Sequence, residues 1–464
     1  MIRLSFLIPL FFTIQLSAQH YSIKVQLEKA SNETVQLAYH YLGKIYGADA
    51  TTLDEHGVGL FEGDSLLTQG LYKILLDKDH HFDFLVGADQ QFTLTNPSFD
   101  GKDSEIEGSA ESEAFVDYMN FLGELQQKSA ALNENYKNAN TQEKEKIATQ
   151  RKALDDEMHN YWDMIDRQFP NSFLYKFITA NYVPALDEST LPANIVENDS
   201  LLLLAKFNYQ REHYWDYFDY TDERYLYTPF FKSKLETWFQ KVLYPEYDSV
   251  KPYVYSFLDD VQSNKRIFQF ATSFFLNSSI NSNYMGMDAL FVDIARDYYL
   301  SGEAFWASEE SLEKIRENVL FMKDNLIGKI APDLTLESFD GEFINLHQID
   351  SKLTALLIYE PNCSHCKVFV PEFYKDVYLP NKDKGLEVYA IYSMDDKEEW
   401  AEFLTKYNMF DWLNVWDQDH SSRFKIKYDG RKTPGVYLLD ENKRIIGKKM
   451  TIEQLKEIIS EKLN

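Results

Sequence analysis

The chain has 464 residues, 44% of them hydrophobic, enough for roughly three domains with separate cores. Its 74 acidic and 47 basic residues give a net charge of −27. That balance argues against nucleic acid and anionic membrane surfaces as partners.

Met1-Ile-Arg3 is a short positive start, and Leu4 to Leu16 is apolar but shorter than a membrane span. Ser17-Ala18 then supplies small residues before Gln19. The pattern predicts a cleaved secretory signal over residues 1–18, with an uncut N-terminal anchor as the alternative. No Cys follows the apolar run, so a lipoprotein anchor is excluded. On this reading the protein is periplasmic or otherwise extracytoplasmic, with no stable membrane span after cleavage.

Residues 19–107 have a period of two. Tyr21, Ile23, Val25 and Leu27 alternate with polar residues, as do Val35, Leu37, Tyr39 and Tyr41, and later Phe82, Phe84 and Val86. The reading is an antiparallel β domain, a small sandwich. His80-His81 falls in a turn-like acidic stretch, read as a solvated hairpin end in preference to a metal pair.

Residues 108–327 read as all helical. Phe115, Tyr118, Leu122 and Leu125 have helical spacing, and Ile147, Leu154, Met158, Tyr161 and Ile165 continue it. The pattern predicts a long helical hairpin joined near Asn138–Thr141. Pro170-Asn171 breaks it. Thr228-Pro229 has the form of a helix start, and Ser308 that of a cap for a helix to about Asn325. The aromatics from Tyr209 to Tyr227 are read as a tyrosine-rich core in preference to a ligand platform.

Residues 328–464 alternate strands with helices, an α/β layer pattern. Thr354–Tyr359 and Leu386–Tyr392 read as buried strands, and Glu398–Asn408 as a helix. Val436–Leu439 pairs with Arg444–Ile446 across a turn. Thr451 with Gln454 opens the closing helix as a capping box. The expected fold class is therefore multidomain α+β: an N-terminal antiparallel β domain, a central all-α segment and a C-terminal α/β domain.

Both cysteines of the chain lie in this last part, in Cys363-Ser364-His365-Cys366. A buried strand precedes them. A helical face follows, made of Cys366, Val370, Phe373 and Val377. Free N–H groups and the dipole at a helix start favour an anion and lower a thiol's pKa. A thiolate is the species that attacks disulfides. A structural zinc site lacks its second pair of ligands, and c-type haem attachment needs His where Lys367 stands. An inert disulfide would close too short a loop to stabilise much. A redox-active pair is the favoured reading, with two buried free thiols as its rival.

Cys363-x-x-Cys366-Lys367 followed by Pro371 resembles the thioredoxin active-site helix, in which a proline kinks the helix. Thr433-Pro434-Gly435 running into Val436–Asp440 is similar to the thioredoxin cis-proline loop. Gly328–Gly341 resembles the start of TlpA/ResA-like domains, the extracytoplasmic branch of that superfamily. The whole chain is similar to Bacteroidetes proteins that join a DUF4369-like β domain and a DUF5106-like helical segment to such a domain. The resemblance implies a nucleophile at Cys363, a resolving thiol at Cys366 and a tuning dipeptide at Ser364 and His365. It also implies a substrate-facing cis-proline loop at Thr433 and Pro434, and a disulfide between the two cysteines when oxidised. It calls for no cofactor and no metal. The implied partners are protein thiols or disulfides and an electron donor.

Three positions depart from the family. Leu357 stands where thioredoxin has a buried acid, Phe369 where many ResA-like proteins have Glu, and Asn362 where Trp is usual. Glu360 is then the nearest acid for proton transfer. The expected function is an exported thiol–disulfide oxidoreductase. One alternative is a non-enzymatic exported binding or scaffold protein with a vestigial thioredoxin domain. A thiol peroxidase is the other, but Leu356 and Glu360 stand where a peroxiredoxin has Pro and Thr.

Overall fold

The computed structural model describes residues 20–463. The expected signal, 1–18, lies outside them. The chain divides into two compact units, Met1–Leu243 and Tyr244–Asn464.

In the first unit the strands are β1 (Tyr21–Gln26), β2 (Thr34–Tyr41), β3 (Lys44–Thr52), β4 (Val58–Gly63), β5 (Gly70–Leu75), β6 (His81–Val86), β7 (Gln91–Thr95) and β8 (Glu105–Glu107). They form two four-stranded sheets, ordered β4-β1-β7-β8 and β3-β2-β5-β6. Successive side chains point to opposite faces of a strand. Ile23, Val25, Val35, Leu37, Ile74 and Phe84 are therefore buried together in one core between the sheets. One pair departs from the antiparallel expectation, because β1 runs parallel to β7. Alternation fixes which face is buried and carries no information about strand direction. The β5–β6 hairpin places His80 in its turn, bound to Asp77 at 2.8 Å, while His81 meets Lys73 at 3.1 Å.

The helical hairpin is α1 (Ala110–Lys137) and α2 (Thr141–Gln168). Asn140 and Glu143 form a capping box at the start of α2. It satisfies two backbone N–H groups that no helical carbonyl can reach. After Pro170-Asn171 come α3 (Phe173–Thr179), α4 (Ala193–Val196), α5 (Asp199–Glu212) and α6 (Phe230–Thr237). Phe218 stacks on the fully buried Tyr225 at 3.9 Å, so these aromatics build core.

The second unit opens with α7 (Tyr247–Val261), α8 (Lys265–Ile280), α9 (Asp288–Ile294) and α10 (Glu309–Met322), the last capped by Ser308. Next come β9 (Thr335–Ser338), β10 (Phe343–Asn345), β11 (Leu353–Tyr359), α11 (Cys366–Phe373), β12 (Leu386–Tyr392) and α12 (Lys397–Tyr407). The chain closes with β13 (Leu413–Trp416), α13 (Phe424–Lys427), β14 (Gly435–Asp440), β15 (Ile445–Lys448) and α14 (Ile452–Leu463). The strands make one sheet, β10-β9-β13-β12-β11-β14-β15.

β11 is buried along its whole length. Ala355, Leu357 and Tyr359 enter one core with α11 and α14, and Leu356 and Ile358 enter the core on the other face. The α11 face of Cys366, Val370, Phe373 and continuing Val377 is wholly buried. Each of its apolar side chains contributes roughly 1.5–3 kcal/mol through burial. Docking that face on β11 fixes the start of α11 at the carboxyl end of the central strand.

Candidate active site

Register decides which residues meet. β11 pairs antiparallel with β14, with Ile358 opposite Gly435. The end of β11 and the residues just before Gly435 are therefore neighbours. The chain leaves Tyr359 through a turn in which the Cys363 N–H donates to Glu360 O at 3.2 Å. Cys363 is half-buried and Cys366, in the first turn of α11, is fully buried. Both are free thiols. The Cys366 N–H donates to Cys363 Sγ at 3.4 Å, and the Cys363 thiol donates to Thr433 O at 3.3 Å. The Thr433–Pro434 peptide is cis.

The two thiols are electrostatically unequal. Burial works against ionising Cys363. Hydrogen bonds from the Thr433 side chain and from the backbone N–H groups of Cys366 and His365 outweigh it, and the thiol pKa falls below its ordinary value. Burial pushes Cys366 the other way, up to about 12, with the neighbouring Cys363 adding to the rise. The first sulfur is thus prepared to be a thiolate, and the second to stay protonated until a base or leaving group takes its proton.

Ser364 and His365 are exposed. The His365 backbone N–H is among the groups that lower the Cys363 pKa. Glu360, half-buried, accepts from Ser393 Oγ at 3.2 Å. Leu357 is fully buried, so an apolar side chain fills the place of the family's acid. Behind the site, Trp400 Nε1 donates to Tyr359 Oη at 2.8 Å, and Trp400 stacks on Tyr392 at 5.1 Å. Among the described residues, no group of three His, Cys, Asp or Glu converges as a metal-ligand set.

Residues 327–448 match the family model described as the AhpC/TSA family. The C-terminal domain is thioredoxin-like. Residues 180–325 match a domain of unknown function, DUF5106, so α1 and α2 lie outside that match. A comparison with curated proteins finds no match. Among solved structures, a domain of a possible thiol-disulfide isomerase from Cytophaga hutchinsonii is 37% identical, covering 29% of this chain and 92% of its own, with a TM-score of 0.28. A thioredoxin-like protein from Bacteroides caccae is 18% identical, covering 60% of this chain and 97% of its own, with a TM-score of 0.47. A conserved protein of unknown function from Bacteroides fragilis is 32% identical, covering 29% and 98%, with a TM-score of 0.26.

Within the thioredoxin-like domain, two neighbours of the site have no signal in the sequence. Glu399 of α12 accepts a hydrogen bond from Asn362, beside Cys363, and another from Tyr392 Oη at 3.2 Å. Arg431, two residues before Thr433, bonds Asn318 of α10 at 2.9 Å. Both contacts join residues far apart in the chain, and no local period encodes them.

Proposed function

We propose that the chain is an exported thiol–disulfide oxidoreductase that acts on protein thiols and disulfides through Cys363 and Cys366. The observation that carries this reading is the asymmetry of the pair. One thiol is half-exposed with a depressed pKa, and its neighbour is buried and held protonated. The Cys363 thiolate attacks one sulfur of a substrate disulfide. That S–S bond breaks, a mixed disulfide forms, and the first substrate thiolate leaves. Cys366 then attacks Cys363, its proton passing to the second departing thiolate. Two electrons move from the dithiol to the substrate, and the Cys363–Cys366 disulfide remains. An electron donor restores the dithiol, and reversal of the same steps oxidises a substrate dithiol.

Ser364 and His365 tune the pair, and Thr433 and Pro434 flank the attacking sulfur. Residues 1–18 direct export, and N-terminal sequencing of the mature protein tests this. Among the described residues no helix is long and apolar enough to cross a membrane. The β-sandwich we read as DUF4369-like.

The AhpC/TSA match also brings a peroxidase reading. Leu356, buried within β11, and Glu360 stand where that chemistry expects Pro and Thr. Equilibrating the full chain with glutathione buffers of stepped ratio, then quenching for intact mass, tests the proposal. A two-hydrogen mass loss with one redox midpoint, and catalysed reduction of a protein disulfide that Cys363→Ser abolishes, are expected. A chain that forms no internal disulfide and speeds no exchange returns the reading to a binding or scaffold protein. Rapid consumption of hydrogen peroxide instead turns it to a peroxidase.

A further inference from the structure

Thr433 sits in a loop whose two flanks are tied to the helices that precede the thioredoxin-like domain. Asn325, wholly buried just after α10, donates to Lys427 O at 2.9 Å on the near side of the loop. The same Asn325 accepts from Lys448 Nζ, through its side-chain oxygen at 2.8 Å and its carbonyl at 2.9 Å, on the strand that pairs with β14. Lys448 is itself buried and ion-paired with Asp288 of α9. One side chain thus bridges the chain before and after the loop.

The middle of the loop is held by Arg431. Its Nε donates to Asp429 Oδ1 at 2.6 Å, and its Nη1 to Asn318 Oδ1 at 2.9 Å. Its guanidinium lies over the Phe321 ring, 4.3 Å from the centroid. Asp429 is in the left-handed region, with φ of 44°, a conformation that aspartate tolerates better than most L-residues. Its buried carboxylate also meets Lys449 Nζ at 3.4 Å, and the Lys449 N–H donates to Val436 O at 2.9 Å. A single exposed ion pair contributes little. Here a planar fork is fixed by a carboxylate, an amide and an aromatic face at once, which suits arginine and not lysine. Two residues further on, Thr433 O lies 3.3 Å from Cys363 Sγ.

We propose that Arg431, anchored by Asn318 and Phe321 of α10, is a positioning residue that holds Thr433 against Cys363. The helical segment before the domain thereby sets the reactivity of the nucleophile. This rests on the reading of Cys363 as the attacking thiol. If the loop drifts, Cys363 loses the Thr433 side-chain hydrogen bond that favours its thiolate and ionises less readily; the Thr433 carbonyl, which accepts from the thiol, marks how close the loop lies.

The test is the pH profile of Cys363 alkylation by iodoacetamide in the full-length reduced chain, read by peptide mass. Arg431→Ala should slow alkylation at pH 7 about three- to tenfold, a tenfold loss corresponding to a one-unit rise in midpoint. Asn318→Ala should give a smaller slowing in the same direction. Arg431→Lys should restore little, because the fork is lost. Lys314→Ala, on the same helix and with its ammonium paired with Glu310, should leave the profile unchanged. If Arg431→Ala fails to fold, Asn318→Ala, which removes the bond to Arg431 and one exposed bond within the helix to Lys314 O, decides alone. Wild-type profiles in folded Arg431→Ala and Asn318→Ala overturn the proposal, as does an equal shift in Lys314→Ala. The readout is ionisation and not turnover. A shifted profile in a chain that exchanges no disulfides would sink the proposed function and leave this inference standing.

Discussion

The thiol of Cys363 and the carbonyl of Thr433 lie 3.3 Å apart across 70 residues of chain. Pairing of β11 with β14 makes that contact, and the wholly buried face of α11 makes it repeatable. The nucleophile and the loop facing it ride on neighbouring strands of one sheet, so their spacing is a property of the core.

The first prediction separates backbone from ring at His365. This residue has φ of −70°, which proline can adopt, and its N–H bonds Cys363. His365→Pro removes that N–H, whereas His365→Ala keeps it. His365→Pro should raise the ionisation midpoint of Cys363 by about one to two pH units, from the usual strength of a hydrogen bond to a charged group. With the thiolate less stabilised, the protein becomes more reducing. Redox titration and thiolate absorbance read both effects. Equal shifts in the two variants would assign the tuning to the imidazole.

Cys366 should make the reduced protein sensitive to alkaline pH. Its folded pKa, pushed up to about 12, lies above the unfolded thiol value of about 8.5. The unfolded chain therefore releases a proton that the folded chain keeps. Stability is intact below about pH 8.5 and falls as pH rises toward the folded value, by at most about 1.4 kcal/mol per pH unit. Urea midpoints of the reduced wild type should drop more steeply between pH 8.5 and 10 than those of Cys366→Ala. Parallel curves would contradict this.

Trp400 is wholly buried, donates to Tyr359 and stacks on Tyr392. Trp400→Ala leaves a large cavity and an unmet hydroxyl behind the active-site turn. It should cost about 3–5 kcal/mol in denaturant unfolding. Trp400→Phe should cost less. Loss of exchange activity should track loss of folded protein, because Trp400 touches neither sulfur in the contacts above.

Much of the site could be read before any coordinates. The apolar run before Cys363 reads as a buried strand, and every residue of β11 is buried. The spacing of Cys366, Val370, Phe373 and Val377 had to be one helix face. Thr451 with Gln454 is a reciprocal cap at 3.0 and 3.3 Å. These signals are local: period, cap and turn. The parallel β1–β7 pair, the Asn362–Glu399 contact and the Arg431–Asn318 bond join distant residues. Periodicity reports which face is buried, not which residue it meets. For the same reason nothing in the composition marks the break after Leu243, which falls among helices of similar character.

The central claim is a division of labour between the two sulfurs. Its most direct test is intact mass of the reduced full chain after brief exposure to glutathione disulfide at pH 7, in Cys366→Ser and Cys363→Ser. Cys366→Ser should accumulate one stable glutathione adduct, on Cys363, because no second thiol remains to displace it. Cys363→Ser should acquire almost none, since Cys366 is buried and protonated. Equal adducts in both variants, or none in either while the wild type still reduces disulfides, would contradict the account.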